Sequence, residues 1–397
     1  MNLLSFASKQ IWPHVLSVAH LKPSTLILLH SNDMDESKRP AERLRTFLSD
    51  VGLLPRTAIS LVVLPHDDFA AVQRDLEAIT ESRKLDLENS VLNFTGGNKL
   101  MATAGFGWAN RRLVRACYLE RGNKLVWFEP RNSEFTTRTE EISTTLLHDI
   151  DPLPLLRCQL DASEVERVGE RITLSDRGLQ MSEADVYSRV QNGTPVGDLL
   201  DVVGEADHQA KAGDALELSA AAILLKLGVK QIRRSLRLKV KSTRGLSTRK
   251  PHAELDLLFN WAGRLWLVDC KDRKAPDQLA EAFRRELRGI RLPHRADELL
   301  NRIQSELTIG QTKILKEDII AMREMGGLLG KVVCLRKSSL GEEVHQFAAS
   351  QNIEVVLKSE IVPRFESLLF PNRPASVDAI SKLKGFTSGR VVTETKK

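Results

Sequence analysis

Cysteines are scarce and scattered in this sequence. The four stand at Cys117, Cys158, Cys270 and Cys334. No two of them have the Cys-x-x-Cys spacing of a zinc ribbon or a thioredoxin-like redox site, which argues against both. Few, isolated cysteines are typical of proteins in a reducing compartment, so the sequence predicts a cytoplasmic protein.

Long apolar runs are also missing. No window of about 18 apolar residues occurs, so we expect no transmembrane helix and no membrane partner. The first ten residues lack a basic segment and a small-residue cleavage site, so we expect no signal peptide. Internal repeats and low-complexity tracts are not evident, which argues against a solenoid.

The composition is that of an ordinary globular protein. Of 397 residues, 42% are hydrophobic and 28% charged, which argues against global disorder. This length exceeds what one hydrophobic core usually spans, so two domains are expected. The formal charge of +6 and the pI near 9.1 permit a nucleic-acid partner without requiring one.

Short apolar runs alternate with amphipathic segments over residues 1–150, a pattern typical of a doubly wound parallel sheet. Turn signals over 151–212 predict a small linking subdomain. A strong helical pattern from Gly213 opens a second α/β unit, 213–370, which contains an early hairpin. Residues 371–397 read as a polar tail.

The hairpin carries the clearest chemistry. Two predicted strands, Ala253–Phe259 and Arg264–Cys270, flank a short turn. Because side chains alternate along a strand, Glu254 and Asp256 share a face, as do Asp269 and Lys271 on the following strand. We expect these two faces to lie side by side, with Cys270 directed to the core.

Carboxylates and a lysine in this arrangement suit metal-dependent phosphodiester hydrolysis. The oxygen ligands of Asp256 and Asp269 favour Mg²⁺ or Mn²⁺ over zinc. Lys271 would stabilise the developing phosphorane charge or orient the attacking water. We therefore predict Asp256, Asp269, Lys271 and Glu254 as catalytic residues, the two aspartates also as metal ligands.

Glu217, on the preceding helix, has two readings. A helical glutamate often reaches the metal in nucleases of this class, which makes Glu217 a third candidate ligand. Asp214-x-x-Glu217 is equally a capping-box pattern, in which Glu217 serves only the start of the helix.

The segment between Lys230 and Lys250 holds basic residues and no acidic one, and it leads directly into the hairpin. Phosphate binding is mainly electrostatic, so this segment is a candidate groove for the nucleic-acid backbone. An ordinary solvated basic loop is the alternative. The predicted contacts are Arg233, Arg234, Arg237, Lys239 and Lys241.

A glycine pair marks the first domain. The predicted strand Val91–Phe94 runs into Thr95-Gly96-Gly97-Asn98-Lys99-Leu100-Met101 and then a helix. Glycines at such a turn let backbone N–H groups approach a phosphate. A nucleotide-like ligand is indicated, although a tight turn without a ligand has the same pattern.

The sequence from Phe94 to Met101 resembles the TGGTKxM signature of CARF (CRISPR-associated Rossmann fold) domains. The second domain resembles the PD-(D/E)xK nuclease half of CARF-nuclease effectors of type III CRISPR systems, the Card and Can type. The matching residues are Gly213-Asp-Ala-Leu-Glu217, Glu254-Leu-Asp256, Asp269-Cys-Lys271 and Gly326-Gly-Leu-Leu-Gly330. Asp269 departs from the commoner glutamate, and residues 274–308 look like an insertion.

This resemblance implies a fold and a ligand. The fold would be an N-terminal Rossmann-like CARF domain plus a C-terminal restriction-endonuclease-like α/β domain. A homodimer would bind one cyclic oligoadenylate across its two-fold axis, and the expected ring is cyclic tetra-adenylate. The ligand residues carried over are Ser8, Lys9, Gln10, Ser31, Asn32, Thr95, Gly96, Gly97, Asn98, Lys99 and Met101.

The predicted function is a nuclease of antiviral defence that cyclic oligoadenylate activates and that cleaves DNA, RNA or both in a metal-dependent reaction. Two alternatives stay open at this stage. One is an unregulated repair or resolvase-type nuclease, which needs no nucleotide-sensing domain. The other is a ligand-sensing regulator with a silent catalytic half, although no helix-turn-helix with a basic recognition helix is evident.

Overall fold

A computed structural model describes residues 1–120, 124–131, 134–143, 147–160, 165–173, 201–203, 215–239, 252–271, 330–337 and 342–371, with isolated positions between 185 and 192 and between 298 and 323. The chain divides into two compact units, and the change falls between Ala162 and Ser163. The hairpin tip Asn260–Arg264 groups with the first unit.

The first unit alternates strands and helices. Its strands are β1 Asn2–Phe6, β2 Thr25–His30, β3 Ile59–Val63, β4 Ser90–Asn93, β5 Arg115–Glu120, β6 Lys124–Arg131 and β7 Glu134–Glu141. Its α-helices are α1 Trp12–Leu21, α2 Arg39–Asp50, α3 Phe69–Ser82, α4 Lys99–Arg111 and α5 Pro152–Gln159, with a π-helical turn at Met34–Lys38 and a 3₁₀ turn at Arg56–Ala58.

The seven strands form one sheet in the order β3-β2-β1-β4-β5-β6-β7. The first five pair in parallel, and β5, β6 and β7 then form an antiparallel meander. The inner strands are nearly continuous apolar runs, as expected of parallel strands covered on both faces. Strand order reverses between β1 and β4, and a crevice at the carboxyl ends of such strands is the usual ligand position in open α/β sheets.

The second unit contains the strands β8 Val165–Arg167, β9 Glu170–Thr173, β10 Asp201–Val203, β11 Ile232–Lys239, β12 His252–Trp261, β13 Arg264–Lys271, β14 Lys331–Arg336 and β15 Glu354–Leu357. Its described α-helices are α6 Ala215–Lys226, α7 Glu342–Ser350 and α8 Ile361–Leu369, with a 3₁₀ turn at Lys358–Glu360. The sheet order is β10-β9-β11-β12-β13-β14-β15, and β8 also pairs with β11.

The predicted linking subdomain and domain limits remain predictions. The structure places α5 in the first unit, and it places β8, β9 and β10 in the sheet of the second. Apart from Pro371, the predicted tail lies outside the described residues, as does most of the suspected insertion at 274–308.

Helix α6 differs from its sequence pattern in one respect. The sequence pattern predicts one apolar face with Leu216, Ala220, Ile223 and Leu224. The structure also buries small residues off that face, Ser219, Ala221 and Ala222. A helix that is apolar nearly all round is an enclosed helix. Within the part of the chain that the structure describes, no helix is both long and apolar enough to span a membrane.

Candidate functional sites

A two-residue turn sets the register of the hairpin formed by β12 and β13. Ala262 and Gly263 connect β12 to β13, and both have positive φ, 52° and 69°. Positive φ at both central positions is the type I′ geometry that matches strand twist, and it favours glycine. Asp256 and Asp269 lie equally far from this turn, so the antiparallel register sets them opposite each other on one face.

Both aspartates are buried, and hydrogen bonds and ion pairs fix their carboxylates. The side chain of Asp256 is 8% exposed, and its Oδ2 accepts a hydrogen bond of 2.5 Å from the Cys270 N–H. Lys271 Nζ lies 2.7 Å from Asp269 Oδ1 and 3.6 Å from Asp256 Oδ2. The hairpin therefore brings together Asp256, Asp269 and Lys271, as the sequence predicts.

The electrostatics of the two carboxyl groups differ. Burial raises the pKa of Asp256 to about 6 against the opposing attraction of Lys271. Burial would also raise the pKa of Asp269, but the charges of Arg336 and Lys271 outweigh it and hold that pKa below its ordinary value. Burial acts to lower the pKa of Lys271, and the two aspartates reverse this and raise it. Lys271 therefore stays positively charged at neutral pH.

Arg336 is a part of this cluster that sequence reasoning missed. It ends β14, and the parallel register sets it beside Lys271. Its guanidinium lies 2.5 Å from Asp269 Oδ2 and donates to the Asp269 carbonyl at 2.8 Å. An arginine far along the sequence carries no local motif, and only the strand pairing brings it to the site.

Glu217 is located by a different contact. Its carboxylate lies 3.9 Å from Nε of Arg234, which also pairs with Glu170 at 3.0 Å. The negative charges of Asp256, Glu217 and Asp269 all help burial to raise the pKa of the Cys270 thiol, so all three carboxylates lie in the surroundings of Cys270. Asp214, the other half of the capping-box reading, lies outside the described residues.

The basic strand β11 is less uniform than its sequence. Arg234, predicted to contact nucleic acid, is instead buried at 2% exposure and bridges the acidic pair described above. Strand alternation explains this, because Arg234 falls on the inward row with Ile232 and Leu236. Arg237 and Lys239 are exposed, and Arg233 is half-buried. Lys241 lies outside the described residues.

Glu254 is exposed on β12, and strand pairing sets it opposite Arg237. Its negative charge adds to the rise in the pKa of Asp256. Among the described residues, no cluster of three or more His, Cys, Asp or Glu is close enough to hold a metal ion. The pair Asp256 and Asp269 nonetheless fits Mg²⁺ or Mn²⁺ in its donor chemistry, because such ions often take one or two carboxylates, with waters and substrate phosphates completing the shell.

In the first unit, the predicted ligand residues follow three neighbouring strands. Ser8, Lys9 and Gln10 follow β1, Ser31 and Asn32 follow β2, and Thr95–Lys99 follow β4. These are the carboxyl ends of adjacent parallel strands, so the loops converge at the reversal of strand order. Met101 differs from the others because its side chain packs in the hydrophobic core of the unit.

The loop after β4 is firmly built. The Thr95 hydroxyl donates to Asn93 Oδ1 at 2.6 Å and accepts from the Leu119 N–H at 2.8 Å. Asn98 caps α4 by accepting from the Met101 N–H at 2.8 Å, which leaves the start of that helix ordered behind the glycines.

The two glycines cannot be replaced without a clash. A Cβ on Gly96 would overlap the Phe6 carbonyl oxygen and lie 2.7 Å from Nε2 of His14. Gly97 has φ +78°, the left-handed region that side chains avoid. Gly96 is therefore required by close packing against β1 and α1, and Gly97 by its backbone conformation.

Two residues of the π-helical turn, Ser37 and Glu36, contact these loops and were not predicted to do so. Ser37 donates to the Ala7 carbonyl at 3.1 Å and accepts from the Ser31 N–H at 3.0 Å, so it ties the loops after β1 and β2 together. Lys9 forms an exposed ion pair of 3.1 Å with Glu36. Both partners come from the π-helical turn, which has no distinctive sequence signal.

The structure resembles solved structures along nearly all of its length. No protein-family model matches the sequence, and no curated protein matches it. Can2 from Sulfobacillus thermosulfidooxidans, solved in complex with cyclic tetra-adenylate, superposes with a TM-score of 0.55 at 16% identity, covering 93% of this chain and 96% of that one. The chain shares the fold of Can2.

A second structure, protein VC1899 from Vibrio cholerae, superposes with a TM-score of 0.58 at 11% identity, covering 93% of this chain and 97% of the other. Identities this low establish the fold alone. The predicted α/β fold class is confirmed: the first unit has a Rossmann-like, mainly parallel sheet, the second is also an α/β unit, and the chain shares the fold of Can2.

Proposed function

We propose that this protein is a metal-dependent nuclease of type III CRISPR defence that is activated by a cyclic oligoadenylate, namely cyclic tetra-adenylate. The observation that carries the nuclease half is the cluster Asp256, Asp269 and Lys271 on one face of a hairpin, with Lys271 Nζ within 4 Å of both carboxylates. The observation that supports the sensing half is the loop with Gly96 and Gly97 at the carboxyl end of β4. The chain shares its fold with a structure that contains cyclic tetra-adenylate.

Asp256 and Asp269 are the residues that would hold Mg²⁺ or Mn²⁺, and Glu217 and Glu254 are further candidates to support the site. The chemistry such an ion supplies is acidification of water and neutralisation of phosphate charge. Asp256, with its pKa near 6, must lose its proton before its oxygens can serve as ligands.

Lys271 has a separate role in this mechanism. Its side chain is 30% exposed, so it is the cation of the cluster that a phosphate can reach. Fixed against Asp269, it would donate to a non-bridging phosphate oxygen and stabilise the charge that develops as water attacks. Its position is set before substrate arrives, which lowers the cost of organising the transition state.

The proposed sensing site uses backbone and loop groups instead. Backbone N–H groups near Gly96 and Gly97 and the start of α4 favour phosphate oxygens. Lys9 and Lys99 are exposed and would add charge from two sides of the crevice. We further propose a homodimer, since two copies of one crevice suit a two-fold symmetric ring.

The proposal is tested by cleavage assays on the purified full chain. Single- and double-stranded DNA and RNA are incubated with Mn²⁺ or Mg²⁺, with and without cyclic tetra- or hexa-adenylate, and Lys271→Ala serves as the inactive control. Cleavage that depends on both metal and activator supports the proposal. Equal cleavage without activator would favour an unregulated nuclease, and no cleavage in any combination would favour a sensor with a silent catalytic half.

A further inference from the structure

Arg336 is more deeply buried than Lys271. It lies on β14, outside the hairpin that carries the two aspartates and Lys271. The side chain is 4% exposed. Its guanidinium contacts Asp269 twice, at Oδ2 and at the carbonyl oxygen, and also donates to the Leu335 carbonyl at 3.0 Å. This grip fixes both the side chain and the main chain of one carboxylate.

The two aspartates therefore differ in how many cations surround them. Both oxygens of Asp269 are matched by a cation, Lys271 at Oδ1 and Arg336 at Oδ2. The described contacts of Asp256 involve Oδ2, with the Cys270 N–H and the more distant Lys271. Asp269 is thus neutralised by side chains before any metal arrives.

We propose that Arg336 is a positioning residue that orients Asp269 and limits the affinity of the site for a divalent cation. This inference rests on the proposed metal-dependent function. The guanidinium of Arg336 lies 2.5 Å from Asp269 Oδ2 and would repel a divalent cation that approaches the same carboxylate. In a partly buried site this repulsion is large. The metal would then be held weakly until the phosphates of a nucleic acid add the negative charge that the two aspartates lack.

The test is a titration of Mn²⁺ followed by the EPR signal of the free ion, on the full chain without nucleic acid. The variants are Arg336→Gln, which removes the charge, and Arg336→Lys, which keeps the charge but cannot hold the side chain and carbonyl together. We expect Mn²⁺ to bind Arg336→Gln at least about tenfold more tightly than the unaltered protein. Arg336→Lys is expected to bind about threefold more tightly.

A separate readout distinguishes positioning from charge. The kcat for cleavage is expected to fall about tenfold or more in both variants, while KM for the nucleic acid stays within about twofold, because Asp269 is misaligned and the substrate groove is untouched. Arg364→Gln, which removes an exposed arginine paired with Glu354 in the same unit, is the matched control and should change neither quantity.

The outcomes separate this inference from the proposed function. Unchanged or weaker Mn²⁺ binding by a folded Arg336→Gln overturns the role of Arg336 and leaves the nuclease proposal standing. If that variant does not fold, Arg336→Lys decides in the same way. Failure of the unaltered protein to bind Mn²⁺ with or without nucleic acid overturns both.

Discussion

The two candidate sites are built on opposite principles. In the first unit, the ligand groups lie on loops beyond the ends of β1, β2 and β4, and most of their side chains are at least partly exposed. In the second, the reactive groups lie within strands, and Asp256 and Asp269 are buried. Loops can adjust to a ligand, whereas strands hold groups at fixed distances, so the comparison suits a sensor in the first unit and a reaction centre in the second.

The largest effect is expected from Lys271→Ala. This variant removes the cation that would stabilise charge on the phosphate, so cleavage should fall by about a hundredfold to a thousandfold. Activator binding, measured by calorimetry with cyclic tetra-adenylate, should stay unchanged because that site is built from other residues. Loss of activator binding together with cleavage would break the separation of the two sites.

The reciprocal change is Gly96→Ala. The added Cβ would overlap the Phe6 carbonyl, so the loop must move, and we expect affinity for cyclic tetra-adenylate to fall by about a hundredfold while Mn²⁺ binding stays the same. Gly107→Ala in α4 is the control, since its Cβ would meet the flexible Gln73 side chain at 3.1 Å and Phe69 at an ordinary contact distance of 3.8 Å. Equal affinity in both variants would remove Gly96 from the proposed site.

The sequence predicted the first unit well and the second in part. Apolar runs such as β1 and β4, with prolines where α1 and α2 begin (Pro13 and Pro40), predicted the strand–helix alternation. The strand β7, Glu134–Glu141, was missed because it is an exposed edge strand of polar residues, stabilised by pairing with β6. Its residues have little hydrophobic pattern of their own.

The candidate reaction centre was predicted as far as the hairpin reaches. Alternation and a short turn are local, so they placed Asp256, Asp269 and Lys271 correctly on one face. Arg336 comes from a strand that is distant in sequence, and its role depends on parallel pairing with β13. Arg234 was interpreted as a surface cation because a run of basic residues does not reveal which of them faces inward.

The pH profile should sharpen the account of the reaction centre. Asp256 must be ionised to act, and its pKa is near 6. At subsaturating Mn²⁺, cleavage should therefore fall about tenfold for each pH unit below about 6. Activator binding should vary far less over the same range. A rate that stays level between about pH 5 and 7 would rule out Asp256 as the titrating group.

The smallest expected effect concerns stability. The pKa of Asp256 is raised above its ordinary value of 3.8, so its charged form destabilises the folded chain. This penalty is absent below about pH 4 and complete above about pH 6. Asp256→Asn should therefore raise Tm by about 3–6 °C at pH 7.5 and give no gain at pH 4.

Asp269→Asn is the matched control for that measurement. The pKa of Asp269 is lowered, so its charged form stabilises the fold at neutral pH, and the substitution should reduce Tm at pH 7.5. The loss should shrink as the pH falls through the acidic range in which Asp269 itself becomes protonated. A Tm that moves in the same direction for both variants at pH 7.5 would contradict the electrostatic difference between the two aspartates.

Phe6 ends β1, the middle one of the five parallel strands of the first sheet, and three glycines pack closely against it. Its carbonyl meets Gly96, its Cβ faces Gly97 and the far edge of its ring meets Gly105 on α4. A displacement of the glycine loop cannot stop at the loop, because the same residue also fills the space beside the helix. Phe6 is therefore the residue through which a movement of the loop at Gly96 and Gly97 would be transmitted to helix α4.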